Sequence, residues 1–559
     1  MRILIGAGVA VRLRFWAAIP LAALGGWLLG LATPQLAWWP MLFVGVAFVL
    51  ASVWRQRLGV AALAGAAAGA GFWFPVLSWL TLYLGPVPWL GLGVVMAAWY
   101  LLMGLAIAAA TRGLALLPAR PWLRISVVAL AVAGLWTLRE QLQGFVPYGG
   151  FPWGRLAHFV AETPLASLVS WLGFSGLSAV IALACAVPVA VLFERLGAKR
   201  ASAEASEAPE RESAPAGLVS RARVVAIPTA FAVLGTALAL ALLAVVPVAP
   251  VERTGSLRVV AVQGNAKAGI FDDRESGDVL RAHLDATQQV VDRLRAEGER
   301  VDVIVWPENS AEFNLPRNPL AEVQIAALAR ETGAPIVLGS VLQDPDGSYT
   351  NSSLVWTGEG DAGVRYDKMH PVPFAEYMPN REFFRALAPD LVDLVQLDYR
   401  TGTRSPAIEV PVGETAERIR AGIAICFDII FDDQAERMVD DGAQVIFAQT
   451  NNADFGRTAE SAQQLQIARL RAIETGRAVV NISTVGTSAI VAPDGRDLAR
   501  LEPFTADAMV ADVPLMRGET PAIRFGAWIC GVWIALGAAG LVGGSALSIL
   551  ARRCAREGA

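Results

Sequence analysis

Charge is what this sequence has least of. Asp, Glu, Lys and Arg make up 17% of its 559 residues, where an ordinary soluble domain carries about 25%. The shortage is uneven. Leu58 to Thr111 contains none of the four, whereas Ser256 to Arg517 has the mixture of a water-soluble domain. A wholly soluble chain is thereby excluded, and the pattern fits a membrane protein with one large aqueous domain. Histidine is also scarce. The aqueous segment offers only His283 and His370 as nitrogen ligands, which supplies a zinc site poorly. Of the four cysteines, Cys185 and Cys530 lie in apolar runs and Cys554 in a basic tail. Cys426 therefore has no partner in its own segment, and a disulfide framework is excluded. A net charge of −4, with basic residues gathered beside the apolar runs, gives no reason to expect nucleic acid.

What is present begins with apolar runs. A membrane span needs about 20 mostly apolar residues. Candidates lie near Phe15–Thr33, Ala37–Trp54, Leu58–Leu80, Trp89–Thr111, Trp122–Leu138, Leu165–Phe193, Val224–Val248 and Phe525–Ala551. Basic residues precede the first, separate the second from the third, the fourth from the fifth and the sixth from the seventh, and follow the last. If the spans alternate, all these segments fall on one side, which the positive-inside rule makes cytoplasmic. Both termini are then cytoplasmic and the aqueous domain lies outside. The expected organisation is a membrane domain over 1–250, an extracytoplasmic domain over 251–517, and a last span with a cytoplasmic tail over 518–559. The stretch Ala198–Arg223, rich in Ala, Ser, Glu and Pro, is expected to be a disordered cytoplasmic loop. The spans hold almost no ionisable groups, which speaks against a transporter. Arg139 and Glu140 sit at the outer end of the fifth span, where Glu140 can pair with Arg139 or Arg155.

The aqueous segment alternates strand and helix signals and reads as an α/β domain. "LRVVAVQGN", "VDVIVWPENS", "APIVLGSVL", "IRAGIAICFD" and "AQVIFAQTNN" are strands, and a helix covers Ala462–Thr475. Glu308 and Cys426 fall at strand ends and Lys368 just beyond a hairpin. Ligands in α/β sheets bind at such ends. Taken alone, Cys426 can be a buried small apolar group, Glu308 a helix cap and Lys368 a surface lysine. Together they are three candidate reactive residues at one end of the sheet. A Cys426–His370 pair is also conceivable. "REFFRALAPDLVDLVQLDY" (Arg381–Tyr399) is either an arm that dips Phe383, Phe384, Leu387, Leu391, Leu394 and Val395 into lipid, or a core helix.

Glu308 in "WPENS", Lys368 in "YDKMHPVPFAEYMP" and Cys426 in "GIAICFD" resemble, in that order, the nitrilase superfamily. With "RLRAIETGRAVVNISTVGTSAIVAPDG", the flanking spans and "YGGFPWGRLAH" (Tyr148–His158), the chain resembles the apolipoprotein N-acyltransferase family over nearly its whole length. The resemblance implies a polytopic α-helical membrane domain joined to an extracytoplasmic nitrilase-like αββα sandwich in a bacterial cytoplasmic membrane. It implies acyl transfer from a phospholipid, through a Cys426 thioester, to the α-amine of a diacylglyceryl-cysteine at an apolipoprotein N-terminus. Glu308 would be the acid–base group and Lys368 the oxyanion partner. Glu376 matches a supporting glutamate; Trp306, Asn451 and Asn452 are expected at the pocket. Phe151 and Trp153 are read as substrate contacts or as an interfacial aromatic anchor. No metal or cofactor is required, because the ester supplies an activated acyl group, and the chain is expected to act as a monomer.

Three positions depart from the family pattern. Phe427 and Asp428 stand where many members have Tyr and Glu, which removes a hydroxyl and shortens a carboxylate's reach. Phe271 stands near a common tryptophan. Two other functions remain open from the residues: a membrane-tethered amidase or nitrilase that uses water, and a non-enzymatic scaffold.

Overall fold

The computed structural model describes residues 11–206, 218–269, 272–413, 415 and 417–557. Phe271 lies outside them. Each expected apolar segment is helical: Phe15–Gly30, Pro40–Val53, Leu58–Val76, Pro86–Leu114, Pro121–Phe145, Val169–Ser206, Leu218–Leu243 and Pro521–Glu557. Among the described residues six apolar helical stretches are long enough to cross a membrane, while Phe15–Gly30 and Pro40–Val53 are shorter. Close packing rests on small residues. A Cβ at Gly134 would lie 2.2 Å from the Trp533 carbonyl oxygen, so the last helix touches Pro121–Phe145 backbone to backbone.

One expectation changes at Ala198–Arg223. The Val169–Ser206 helix runs through its first part and the Leu218–Leu243 helix begins inside its last part. Alanine and the long charged side chains of "AKRASAEAS" favour helix, so a solvated composition did not exclude one. Residues 207–217 are outside the described set.

Among the described residues the aqueous domain has twelve strands, in chain order. They are β1 (Glu252–Gln263), β2 (Val303–Val305), β3 (Ile336–Gln343), β4 (Tyr349–Thr357), β5 (Gly360–Asp367) and β6 (Ala407–Pro411). Then come β7 (Arg418–Ile425), β8 (Val445–Thr450), β9 (Val479–Ser483), β10 (Ser488–Val491), β11 (Asp497–Leu501) and β12 (Asp507–Arg517). They form two 6-stranded mixed sheets, ordered β12-β1-β2-β3-β4-β5 and β11-β10-β9-β8-β7-β6. Side chains alternate along each strand. Val259, Ala261, Val303 and Val305 meet Ile423, Ile425, Val445 and Phe447 between the sheets. Val260, Val262, Ile304 and Trp306 face the opposite way, onto the helices Asp278–Glu297 and Pro319–Thr332.

The second sheet's outer face has a different neighbour. Ala424, Ile446 and Ala448 pack beneath Leu465, Ala468 and Leu470 of the helix Glu460–Thr475. The same cluster of buried residues continues into Phe72, Trp136 and Phe174 of the membrane helices. An αββα sandwich and a helical bundle thus share one apolar core.

Candidate active site

The first sheet supplies the charged groups. β2 ends at Val305, and the chain turns through Pro307 to Glu308. Lys368 follows β5 directly, and its backbone N–H donates to the Asn351 carbonyl oxygen at 2.8 Å. Lys368 Nζ lies 3.3 Å from Glu308 Oε1 and 2.9 Å from Glu376 Oε2. Asn351 Nδ2 bridges the two carboxylates, donating to Glu308 Oε1 at 2.7 Å and to Glu376 Oε1 at 2.9 Å. The other oxygens accept backbone N–H groups, of Asn451 at Glu308 Oε2 (2.9 Å) and of Val372 at Glu376 Oε2 (2.7 Å). Glu308 and Lys368 are only 6% and 2% exposed, so water screens this triplet little.

The second sheet supplies the sulfur. β7 ends at Ile425, and Cys426 opens a 3-10 turn, Cys426–Ile430, with φ of 49°. A non-glycine residue in this left-handed region is strained and must be held by its surroundings. Asp428 does the holding. It is fully buried and accepts from the Ile425 N–H at 3.1 Å, the His370 N–H at 2.9 Å and the Tyr366 hydroxyl at 2.8 Å. The thiol remains half-buried.

These environments set the protonation states. Burial pushes the Glu308 carboxyl up, Lys368 opposes the shift and Glu376 adds to it; the net direction is up. Burial works against the Lys368 ammonium, but Glu376 and Glu308 outweigh it, and the lysine stays charged. The Cys426 thiol is pushed up by burial and by Glu308, with Lys368 opposing. All three groups therefore act on one another, and the constellation can move a proton between sulfur and carboxylate beside a fixed cation.

Other expected residues fall in varied places. Asn451 sits at the site through its backbone N–H, while its Nδ2 donates to the Ala268 carbonyl at 3.0 Å. Trp306 does not line the pocket. Strand alternation turns its indole into the outer core, where Nε1 donates to Thr287 Oγ1 at 3.0 Å. His370 does not pair with Cys426. Its ring stacks on Phe431 at 3.9 Å and bonds between Asp428 and Asp433. Phe151 and Trp153 are no interfacial anchor. Trp153 is buried and donates from Nε1 to Gln463 Oε1 at 2.7 Å. Phe151 stacks between Trp153 (5.7 Å) and Phe427 (6.0 Å), so the loop after Pro121–Phe145 packs against the cysteine turn. Glu140 pairs with Arg139 at 3.4 Å; Arg155 reaches Asp432 instead, at 2.8 Å.

The Arg381–Tyr399 arm is buried along one part and exposed along another. Val392 and Val395 are buried with Met378, against Phe374 and Phe384. Phe383 and Leu387 are 61% and 68% exposed. Asn351, Glu460 and Gln464 escaped the sequence reading. Asn351 carried a faint signal, being part of a polar run inside an otherwise apolar strand; the two others lie on a helix that reads as ordinary.

Residues 260–521 match the carbon-nitrogen hydrolase family model, and residues 25–187 match the apolipoprotein N-acyltransferase N-terminal domain. An apolipoprotein N-acyltransferase of Mycolicibacterium smegmatis is 32% identical over 544 residues, covering 93% of this chain and 84% of that protein. One of Geobacter metallireducens is 28% identical over 534 residues, covering 91% and 92%. Among solved structures, a Saccharomyces cerevisiae member of branch 10 of the nitrilase superfamily aligns with a TM-score of 0.35 and 17% identity, covering 49% of this chain and 95% of that one.

Proposed function

The chain belongs to the apolipoprotein N-acyltransferase family and is a multi-pass membrane enzyme of it; from that premise we propose the reaction and the residues that carry it. The acyl donor is a membrane phospholipid, and the acceptor is the α-amine of the N-terminal diacylglyceryl-cysteine of an apolipoprotein. The observation that carries this reading is the buried Glu308–Lys368–Glu376 triplet beside a strained, half-buried Cys426. An aromatic stack of the membrane domain forms one side of it.

In the first half-reaction Glu308 takes the Cys426 proton as sulfur attacks the ester carbonyl. Lys368 faces the oxygen that becomes negative. The carbon–oxygen bond to the lysophospholipid breaks, and Glu308 returns the proton to the departing alkoxide. A Cys426 thioester remains. In the second half-reaction the acceptor amine attacks that thioester and gives a proton to Glu308. The carbon–sulfur bond breaks, and Glu308 reprotonates the released thiolate. A carboxyl whose pKa is raised by burial suits both directions of transfer. Glu376 and Asn351 hold Lys368 and Glu308 in register.

The placement of basic residues supports eight spans, cytoplasmic termini and a catalytic domain over 251–517 outside the membrane. The exposed Phe383 and Leu387 fit contact with lipid.

The experiment supplies purified enzyme with phospholipid and a diacylglyceryl peptide and identifies where the acyl chain goes. An amide on the peptide is expected. Free fatty acid with no amide would assign a water-using hydrolase, and neither product would leave a scaffold. A reporter fused after Val251 tests topology; cytoplasmic signal would overturn the orientation.

A further inference from the structure

A buried polar chain ends on the nucleophilic sulfur. Gln464 lies on the helix Glu460–Thr475 and is buried. Its Nε2 is 3.7 Å from Cys426 Sγ, within hydrogen-bond reach of a sulfur. Which end of this amide faces the sulfur follows from its neighbours. The Gly486 backbone N–H donates to Ser483 Oγ at 2.9 Å, and Ser483 Oγ donates to Asn452 Oδ1 at 2.6 Å. Thr450 Oγ1 donates to the same oxygen at 2.7 Å. Asn452 must then present its NH2 on the other side. It donates to Glu460 Oε2 at 2.7 Å and to Gln464 Oε1 at 3.0 Å. With Oε1 occupied as an acceptor, Gln464 turns its own N–H toward Sγ. Gly486 is required for this approach, because a Cβ there would meet Asn452 Oδ1 at 2.4 Å.

We propose that Gln464 is a further catalytic residue, an amide donor that stabilises the Cys426 thiolate as it forms and as it departs, and that Asn452 and Glu460 are positioning residues that aim it. This rests on Cys426 being the nucleophile of the proposed function. Burial and Glu308 both disfavour a negative sulfur, so a donor aimed at Sγ offsets part of that cost. A charged Glu460 would add to that cost, as Glu308 does. Burial raises its carboxyl to about 8, although the Asn452 amide opposes the shift, and Glu308 adds to it. Glu460 is therefore mostly uncharged where the thiolate must form.

The test reads sulfur chemistry without either substrate. Iodoacetamide alkylation of Cys426 is followed across pH in the full chain in detergent, with the modified peptide identified by mass. Gln464→Met keeps the volume and removes the donor. Gln464→Glu keeps the acceptor for Asn452 and places an oxygen against the sulfur. Both are expected to move the alkylation midpoint up, slowing alkylation at pH 7.5 by roughly tenfold for Met and more for Glu. Transfer kcat falls by a similar factor with KM for phospholipid unchanged. Glu460→Leu slows alkylation at pH 7.5 and Glu460→Gln restores part of that loss, as aim through Asn452 requires. An unchanged midpoint in Gln464→Glu, with the melting transition intact, overturns the proposal whether or not Gln464→Met folds. Alkylation needs neither lipid nor peptide, so a parent enzyme that shifts with Gln464 yet transfers nothing would sink the transfer reaction and leave this inference standing.

Discussion

Two helices cover opposite faces of the same sandwich, and they obey different rules. Asp278–Glu297 lies on the first sheet and buries Leu280, Ala286, Val290, Val291 and Leu294 on one stripe; its charged side chains reach solvent. Glu460–Thr475 lies on the second sheet, and every residue from Gln463 to Thr475 is buried, including three glutamines, two arginines and a glutamate. The difference is the membrane bundle on its far side. An outer helix needs one apolar face. A helix pressed between a sheet and a bundle must find partners for each polar group, because an unpaired buried one is costly.

Those partners make the second helix a connector. Gln463 accepts from Trp153 of the membrane domain at 2.7 Å, and its neighbour Gln464 reaches Cys426. Arg471 donates to the Ile429 and Ile430 carbonyls of the cysteine turn at 3.0 and 2.9 Å, to Asp432 at 2.8 Å, and to Glu474. Arg155, from the loop that follows Pro121–Phe145, holds the other oxygen of Asp432 at 2.8 Å. The position of the Cys426 turn is thus tied to the bundle through side chains, not only through the backbone.

The largest effect that separates the helices comes from their arginines. Arg471→Met leaves Asp432, Glu474 and two carbonyls short of a donor, and is expected to cost about 3–5 kcal/mol and most of the activity. Arg281→Met on the outer helix should stay within about 0.5 kcal/mol. Thermal or denaturant unfolding in detergent checks both, and equal costs would erase the distinction. Arg155→Met is a milder cut, leaving Arg471 in place. Burial raises the Asp432 carboxyl, but Arg155 and Arg471 overcome it and hold it well below the usual range. A depressed folded pKa stabilises above the unfolded value of about 3.8 and is lost as pH falls through the folded one. Melting measured from pH 5 down to 2 should therefore drop less steeply in Arg155→Met than in the parent; parallel curves would contradict the coupling.

A third cut removes one hydrogen bond across the junction. Trp153→Phe keeps the ring stack and loses the bond to Gln463, at about 1 kcal/mol. Because Gln463 precedes Gln464, a small rise in the alkylation midpoint of Cys426 should accompany it. A pH-dependent effect lies in His370. Burial lowers its pKa, but bonds to Asp428 and Asp433 prevail and raise it to about 9. A raised histidine stabilises fully below about 6.5 and loses that contribution as pH climbs to 9. His370→Gln should flatten the melting curve over that window, and an unchanged slope would remove His370 from the clamp on the cysteine turn.

The same contrast explains what was legible in the sequence. The apolar runs, the strand series and the positions of Glu308, Lys368 and Cys426 at or just beyond strand and hairpin ends follow from hydrophobic period and length, which are local properties. The apolar stripe of Asp278–Glu297 is likewise a local property of its residues. Glu460–Thr475 was readable as a helix but not as a buried one, because Gln463, Gln464, Arg469, Arg471 and Glu474 resemble a solvated face. Their burial depends on a bundle built from residues hundreds of positions away. Trp306 is misplaced for a smaller reason: strict alternation would put Trp306 and Glu308, two residues apart, on one face, but β2 ends at Val305 and the turn through Pro307 separates them. Asn351 joins Glu308 to Glu376 only once β4 pairs with its neighbours, a relation no short window contains.

The most direct measurement is the mass of the Cys426 peptide after the purified enzyme meets phospholipid with no acceptor present. The account predicts the gain of one acyl group on that peptide, removed by neutral hydroxylamine and absent in Glu308→Gln. An enzyme that turns over while Cys426 stays unmodified, or an adduct on another residue, would contradict it.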